Sequence, residues 1–309
     1  MQLQQTLRKT YRFEGKGLHT GKVASMTLNP APVDTGIVFR RTDLPGCPEI
    51  EALAEYVSNT ARSTTISNGN CTVVTVEHIL SALTGLGIDN ALIEINNEEV
   101  PILDGSALMY VDAISKDGPR LQDKPRKYIE LTEEVEIINE KTGSVVRLTP
   151  AQKLSYDVQI DFDSKVVGVQ KASWCPQKDY AKEIAPCRTF VFFHELEYLL
   201  NNNLIKGGDV DNAIVVVEHP VRLEQLERMS VLFNKPKLRI DESGYLNNLR
   251  LYYPNECARH KLLDLVGDLR LCGGFLKARI TAVRPGHTIN TNTAKAVREQ
   301  ITNDKKQII

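Results

Sequence analysis

Apolar and polar residues along this chain switch between two periods, and one order of switches occurs twice. Two-residue alternation predicts strands over Val23–Leu28 and Ile37–Arg40, and again over Tyr128–Ile138, Ser144–Leu148 and Leu154–Phe162. Each group of strands is followed by a helix, a strand and a second helix. In the first half these are Val76–Leu83, stopped at Gly85 or Gly87, then Ala91–Ile95 and Ala107–Ile114. In the second half they are Glu256–Leu271, stopped at Gly273 or Gly274, then Leu276–Val283 and Thr293–Ile301.

The two series meet at Lys116–Arg126, a Pro, Gly and charge cluster of the kind that separates domains. The expected fold class is therefore α+β: two similar domains, each a sheet with helices, packed face to face with a cleft between them. The first covers residues 1–120 and the second 127–309. The second carries an insertion near 190–217, where Leu196, Leu199 and Leu200 form a helical apolar stripe, Lys206–Asn212 a Gly-rich turn and Ala213–Val217 a strand. Such a segment walls an apolar groove or is ordinary helix-on-strand core; pattern alone fits both.

Composition narrows the class of function. With 38 basic and 39 acidic residues the charges nearly cancel, which points away from nucleic acid and from an anionic membrane surface and toward small-molecule chemistry. No apolar run approaches the roughly 18 residues of a membrane span, and Met1–Thr10 lacks the apolar segment of an export signal. The six cysteines contain no C-x-x-C pair and read as free thiols, so a cytoplasmic protein is expected.

Chemistry concentrates in His260-Lys261-Leu262-Leu263-Asp264-Leu265-Val266-Gly267-Asp268. At about 100° per residue, His260, Asp264 and Asp268 share one helical sector with Gly267, opposite Ala258, Leu262, Leu265, Val266 and Leu269. Six histidines and 39 acids in 309 residues yield just under one His–acid pair at this spacing by chance. Alone, the run is equally a solvated polar helix face. Thr75-Val76-Glu77-His78 reads as a helix start with Thr75 as N-cap, where the helix dipole favours a neutral imidazole. His78, His260 and Asp264 would then supply three zinc ligands, leaving a fourth position for water, with Glu77 either accepting a proton beside it or standing as a plain first-turn acid. His287, in the loop Arg284–Thr288, is a general acid if Asp268 raises its pKa and a bland loop residue otherwise. Thr189 offers a hydroxyl to an oxyanion, or is a strand threonine beside a core Phe190. His19 has no assignable partner, and His194 and His219 read as structural.

The TVEH at 75–78, HKLLDLVGD at 260–268 and GH at 286–287 resemble the zinc-dependent UDP-3-O-acyl-N-acetylglucosamine deacetylases of lipid A biosynthesis. Gly15–Gly21 (GKGLHTG), Gly87–Asn90 (GIDN), Pro101–Ser106 (PILDGS) and Arg188–Phe190 (RTF) follow in that family's order, so the likeness spans essentially the whole chain. It implies Zn2+ held by His78, His260 and Asp264, with Glu77 as general base and His287 as general acid partnered by Asp268. It further implies that Thr189 stabilises the oxyanion, that Lys261, Phe190 and Arg284 contact an acylated UDP-sugar, and that the insertion after Phe190 holds the acyl chain. Pro285, and the lack of a cysteine around Arg62–Thr65, depart from the family pattern. Some relatives continue into a hydroxyacyl-carrier-protein dehydratase, so a fused domain beyond residue 309 is a possible partner. The competing readings are a zinc amidase for another amide or peptide, and a nucleotide-sugar or lipid-binding module.

Overall fold

The computed structural model describes residues 2–201, 206–208, 211–235 and 237–307. In the first half it contains β1 (Leu3–Leu7), β2 (Tyr11–Lys16), β3 (Val23–Pro30), β4 (Ile37–Arg41), β5 (Glu49–Glu51), β6 (Val57–Asn59), β7 (Thr65–Asn68), β8 (Cys71–Val74), α1 (Glu77–Gly85), β9 (Ala91–Ile95) and α2 (Leu108–Ser115). A junction strand, β10 (Pro119–Pro125), leads to β11 (Tyr128–Glu130), β12 (Val135–Asn139), β13 (Ser144–Pro150), β14 (Ser155–Ile160) and β15 (Gln170–Trp174). Then come α3 (Tyr180–Glu183), β16 (Phe190–Phe192), α4 (Phe193–Asn201), β17 (Ile214–Val216), α5 (Leu223–Leu232), α6 (Glu256–Leu269), β18 (Phe275–Val283) and α7 (His287–Gln307).

The repeated order of periods corresponds to one topology built twice. The first sheet runs β2-β3-β9-β4-β5 and the second β12-β13-β18-β14-β15. In both, the strand that follows the helix at the junction of the units, β9 after α1 and β18 after α6, enters the centre, antiparallel to one neighbour and parallel to the other. Each unit also takes its insertion at the same point, between its fourth sheet strand and that helix: β6-β7-β8 in the first, the β16-α4-β17-α5 segment in the second.

The helices α1 and α6 pack against each other between the units. Ile79, Leu80 and Leu83 of α1 and Leu262, Leu265 and Val266 of α6 are fully buried, each burial contributing about 1.5–3 kcal/mol. Their backbones meet at Gly267, where a Cβ would lie 2.0 Å from the carbonyl oxygen of Glu77. The glycine in the polar sector of α6 is thus the point at which α1 crosses it.

Several boundaries differ from the sequence expectations. Lys116–Arg126 is not an open linker: within it β10 pairs antiparallel with β1, and Arg126 donates to both carboxylate oxygens of Asp89 and to the carbonyl of Gly87. The GIDN motif is in this respect architectural, because Asn90 binds Gly36, Gln4 and Gln122 across the same seam. Tyr128–Ile138 divides into β11 and β12, since Tyr128–Glu130 pairs parallel with β18 while Val135–Asn139 pairs with β13. Thr75 is not an N-cap. It sits at φ 61° and its hydroxyl donates to Glu99, while α1 starts from Val76 without a side-chain cap. The last helix begins at His287, six residues before the predicted Thr293. In the insertion Leu196 is buried, whereas the side chains of Leu199 and Leu200, and residues 209 and 210 of the predicted turn, lie outside the described residues. Among the described residues no helix is long and apolar enough to cross a membrane.

Candidate metal centre

The α1–α6 contact carries polar side chains from both units into one buried spot. From α1 come Glu77 and His78, and from α6 His260, Asp264 and Asp268, none more than 5% exposed. A solvated polar face on α6 is thereby ruled out, because α1 and α7 cover it. His78 Nε2 and His260 Nε2 stand 3.6 and 3.4 Å from Asp264 Oδ1. The two imidazole rings are perpendicular, with centroids 5.2 Å apart.

Second contacts set the direction of these ligand atoms. His260 Nδ1 lies 3.1 Å from the carbonyl of Cys187, which can only accept, so that nitrogen carries the proton and Nε2 turns a lone pair to the centre. Burial pushes the His260 pKa down to about 3, more than Asp264 restores, so the ring is neutral at physiological pH. Burial pushes Asp264 up, but His260 and Lys261 outweigh it and hold the carboxyl well below its usual range. Lys261 donates to Asp264 Oδ2 at 2.8 Å, whereas buried Oδ1 has no hydrogen-bond partner. An orphaned carboxylate oxygen facing two imidazole nitrogens costs free energy unless a cation joins them. The donor set, two nitrogens and one carboxylate oxygen, suits a divalent ion such as zinc with a further position open.

Around this trio stand the groups expected to move protons. Glu77 Oε2 accepts the amide hydrogen of Thr64 at 3.0 Å, and Oε1 is 4.0 Å from His287 Nε2. Burial raises the Glu77 pKa, His287 and His78 opposing it, which makes this carboxylate a better proton acceptor than an exposed one. His287 is the first residue of α7 and donates from Nδ1 to Asp268 Oδ2 at 3.0 Å. Burial and the helix start both favour a neutral ring, yet Asp268 and Glu77 raise its pKa to about 9. Asp268 is in turn held by Thr64 Oγ1 at 2.6 Å and Asn290 Nδ2 at 2.9 Å.

Thr64 and Asn290 escaped the sequence reading. Thr64 braces Glu77 through its backbone and Asp268 through its hydroxyl; nothing in the run Arg62–Thr65 announces this. Asn290 had a readable signal once α7 starts at His287, since it then lies three residues on, one turn above the imidazole.

The centre opens into a cavity of about 240 Å³ lined from one side by Leu18, Thr75 and Ile102 and from the other by Phe162, Thr189 and Phe192. The amide of Thr189 donates to the carbonyl of Gly105 at 2.8 Å, so the PILDGS loop and the RTF segment are fastened together at its rim. Phe190 lies edge-on to His260, and Lys261 Nζ sits 5.5 Å from its ring centroid. Phe162, Phe190 and Phe192 meet edge to face with centroids 5.4–6.3 Å apart, making one apolar wall. Arg284 is not brought here. Its side chain donates to Asp161 at 2.7 Å and to the carbonyl of Thr142, and it does not line the cavity.

Comparison with known proteins bears on the chain as a whole. The sequence profile of the UDP-3-O-acyl N-acetylglycosamine deacetylases (LpxC) matches residues 4–231 and 233–299. The chain belongs to this family. It is 43% identical over 307 residues to a bifunctional LpxC/FabZ enzyme of Porphyromonas gingivalis, covering 99% of this chain and 66% of that one. With the bifunctional LpxC/FabZ enzyme of Bacteroides thetaiotaomicron it shares 43% over 298 residues, 96% of this chain and 65% of that one. A UDP-3-O-acyl-N-acetylglucosamine deacetylase of Pseudomonas entomophila is 41% identical over 290 residues, 93% of this chain and 87% of that protein. The chain thus spans about two thirds of the length of the bifunctional relatives and most of the length of the single-function one. Matches of this extent place the α+β fold with two similar units within a family of metal-dependent deacetylases.

Proposed function

We propose that this chain hydrolyses the N-acetyl group of a UDP-3-O-(3-hydroxyacyl)-N-acetylglucosamine, giving the free amine and acetate in an early committed step of lipid A biosynthesis. The observation that carries the reading is the convergence of His78 from one unit with His260 and Asp264 from the other, leaving Asp264 Oδ1 buried and unsatisfied between them. A zinc ion held by these three would supply Lewis acidity to the amide carbonyl and to the attacking water.

This chain's own groups do the rest. Glu77, its basicity raised by burial, takes the proton from the water. His287, protonated at neutral pH because Asp268 and Glu77 hold it near 9, gives its proton to the departing nitrogen. Asp268 keeps that ring oriented through Nδ1, leaving Nε2 aimed at the centre. Thr189, at the cavity rim, donates its hydroxyl to the developing oxyanion, a contact of the kind worth about 3–4 kcal/mol. Lys261 and Phe190 contact the sugar, and the wall of Phe162, Phe190 and Phe192 leads the acyl chain away. The same reading divides the chain into domains 1–120 and 127–309, locates the reaction in the cytoplasm, and follows residue 309 with a dehydratase domain in the full protein, which the fused relatives support. Diphosphate contact by Arg284 would require its release from Asp161.

Elemental analysis paired with an acetate-release assay tests the proposal. About one zinc per catalytic centre, turnover of the acylated UDP-sugar but not of acetylated peptides, and loss of turnover in His260→Ala are expected. Full activity in metal-free protein refutes it, as does a ligand held unchanged for hours.

A further inference from the structure

Away from the catalytic centre, His194, Glu218 and His219 bring one ligand atom each within 4.8 Å of one another. Strand register explains why. In the parallel pair β16–β17, Phe192 lies opposite Val216, so His194 and Glu218 stand two residues beyond the same rung as both segments leave the ribbon. His219 follows at once, and the His194 and His219 rings lie 6.1 Å apart. On its other side His194 stacks on Phe192 at 5.7 Å, one of the rings walling the catalytic cavity.

We propose that this trio is a second transition-metal site, a clamp that binds a zinc-class divalent ion and fastens the start of α4 to the exit of β17. Two imidazoles and one carboxylate are a zinc, copper or nickel donor set rather than a magnesium or calcium one. Ligand atoms about 2.0–2.2 Å from a tetrahedral ion stand roughly 3.3–3.6 Å apart. Closing from 4.8 Å asks roughly 1.2–1.5 Å of exposed His194 and His219 and partly exposed Glu218, and water completes the shell. The histidines thus gain a chemical role beside the structural one read from the sequence. The ion takes no part in the reaction. It stiffens the ribbon whose inner side presents Phe190 and Phe192 to substrate.

Zinc titration of chelator-stripped protein, read by competition with a chromophoric chelator, decides the matter independently of the catalytic proposal. Wild type should take two equivalents, His78→Ala/His260→Ala one, and His194→Ala/His219→Ala one. Glu218→Gln, which removes only one donor, should weaken the second equivalent at least tenfold, since even contacts outside the coordination sphere are worth about 10–100-fold. Amide exchange at 190–194 and 214–219 should slow with the second equivalent only. Loss of all bound zinc in His78→Ala/His260→Ala overturns the clamp, as does a stoichiometry unchanged from wild type after both surface histidines are removed.

Discussion

Gly267→Ala puts one methyl group where the two units cross, and stability and activity should respond to it very differently. On an isolated helix the change favours α6 by about 1 kcal/mol, because glycine is the poorer helix former. In place, the new Cβ would stand 2.0 Å from the Glu77 carbonyl oxygen, 2.8 Å from its carbonyl carbon and 3.1 Å from its Cα. Real Cβ atoms essentially never approach other atoms closer than 3.0 Å, so α1 must retreat by about 1 Å at Glu77, the proposed base. Overpacking of this kind costs about 1–3 kcal/mol, which the helix-propensity gain partly offsets, for a net loss of roughly 0–2 kcal/mol. A misplacement of about 1 Å in a reacting group costs on the order of 10²-fold in rate. Glu77 and His78 ride on α1, whereas His260, Asp264 and Asp268 stay with α6, so the shift splits the ligand set across the crossing. The expected variant therefore folds, melts within a few degrees of wild type and loses about two orders of magnitude in kcat/KM, measured by acetate release alongside thermal unfolding. Activity within twofold of wild type with an unchanged or higher Tm would refute the claim that this glycine sets the spacing of the two halves of the site.

Glu77→Gln should keep its zinc, measured by elemental analysis, while losing about 10²–10⁴-fold in turnover, because only the proton acceptor has gone. Asp268→Asn should move the alkaline limb of the pH–rate profile to lower pH, since Asp268 is what raises His287 to about 9. The folded-state pKa lies above the ordinary 6.5, so the stability this pairing contributes is complete below about pH 6.5 and lost as pH rises through 9; unfolding titrations of wild type and variant should differ over that window. Arg126→Ala leaves Asp89 buried without its partner and should cost about 3–5 kcal/mol in chemical denaturation with kcat little changed among molecules still folded.

Helix α6 was legible because period and chemistry coincide there: Leu262, Leu265 and Val266 mark the core side and His260, Asp264 and Asp268 the other. Pattern could not tell whether that polar side faced water, because its cover, α1, is remote in sequence and is admitted by the missing side chain of Gly267. The start of α7 was misjudged because Pro285-Gly286 reads as a break and Thr-Asn-rich sequence follows, whereas Thr291 and Thr293 satisfy their hydroxyls on carbonyls a turn back. The short strands β6 to β8 and the β1–β10 pair carry weak alternation and owe their form to partners elsewhere in the chain. Thr64 illustrates the limit most clearly: its value lies in reaching Asp268 across 204 positions, which no local pattern encodes.

Since α1 and α6 are corresponding helices of two units with one topology, the candidate centre sits where equivalent elements of the two units cross. Joined in one polypeptide, the halves cannot drift apart on dilution, and each can carry residues that the other lacks. One unit supplies an acid-and-imidazole pair and the other an imidazole and two acids, an asymmetry that a symmetric dimer, bound to place the same residue on both sides, cannot reach.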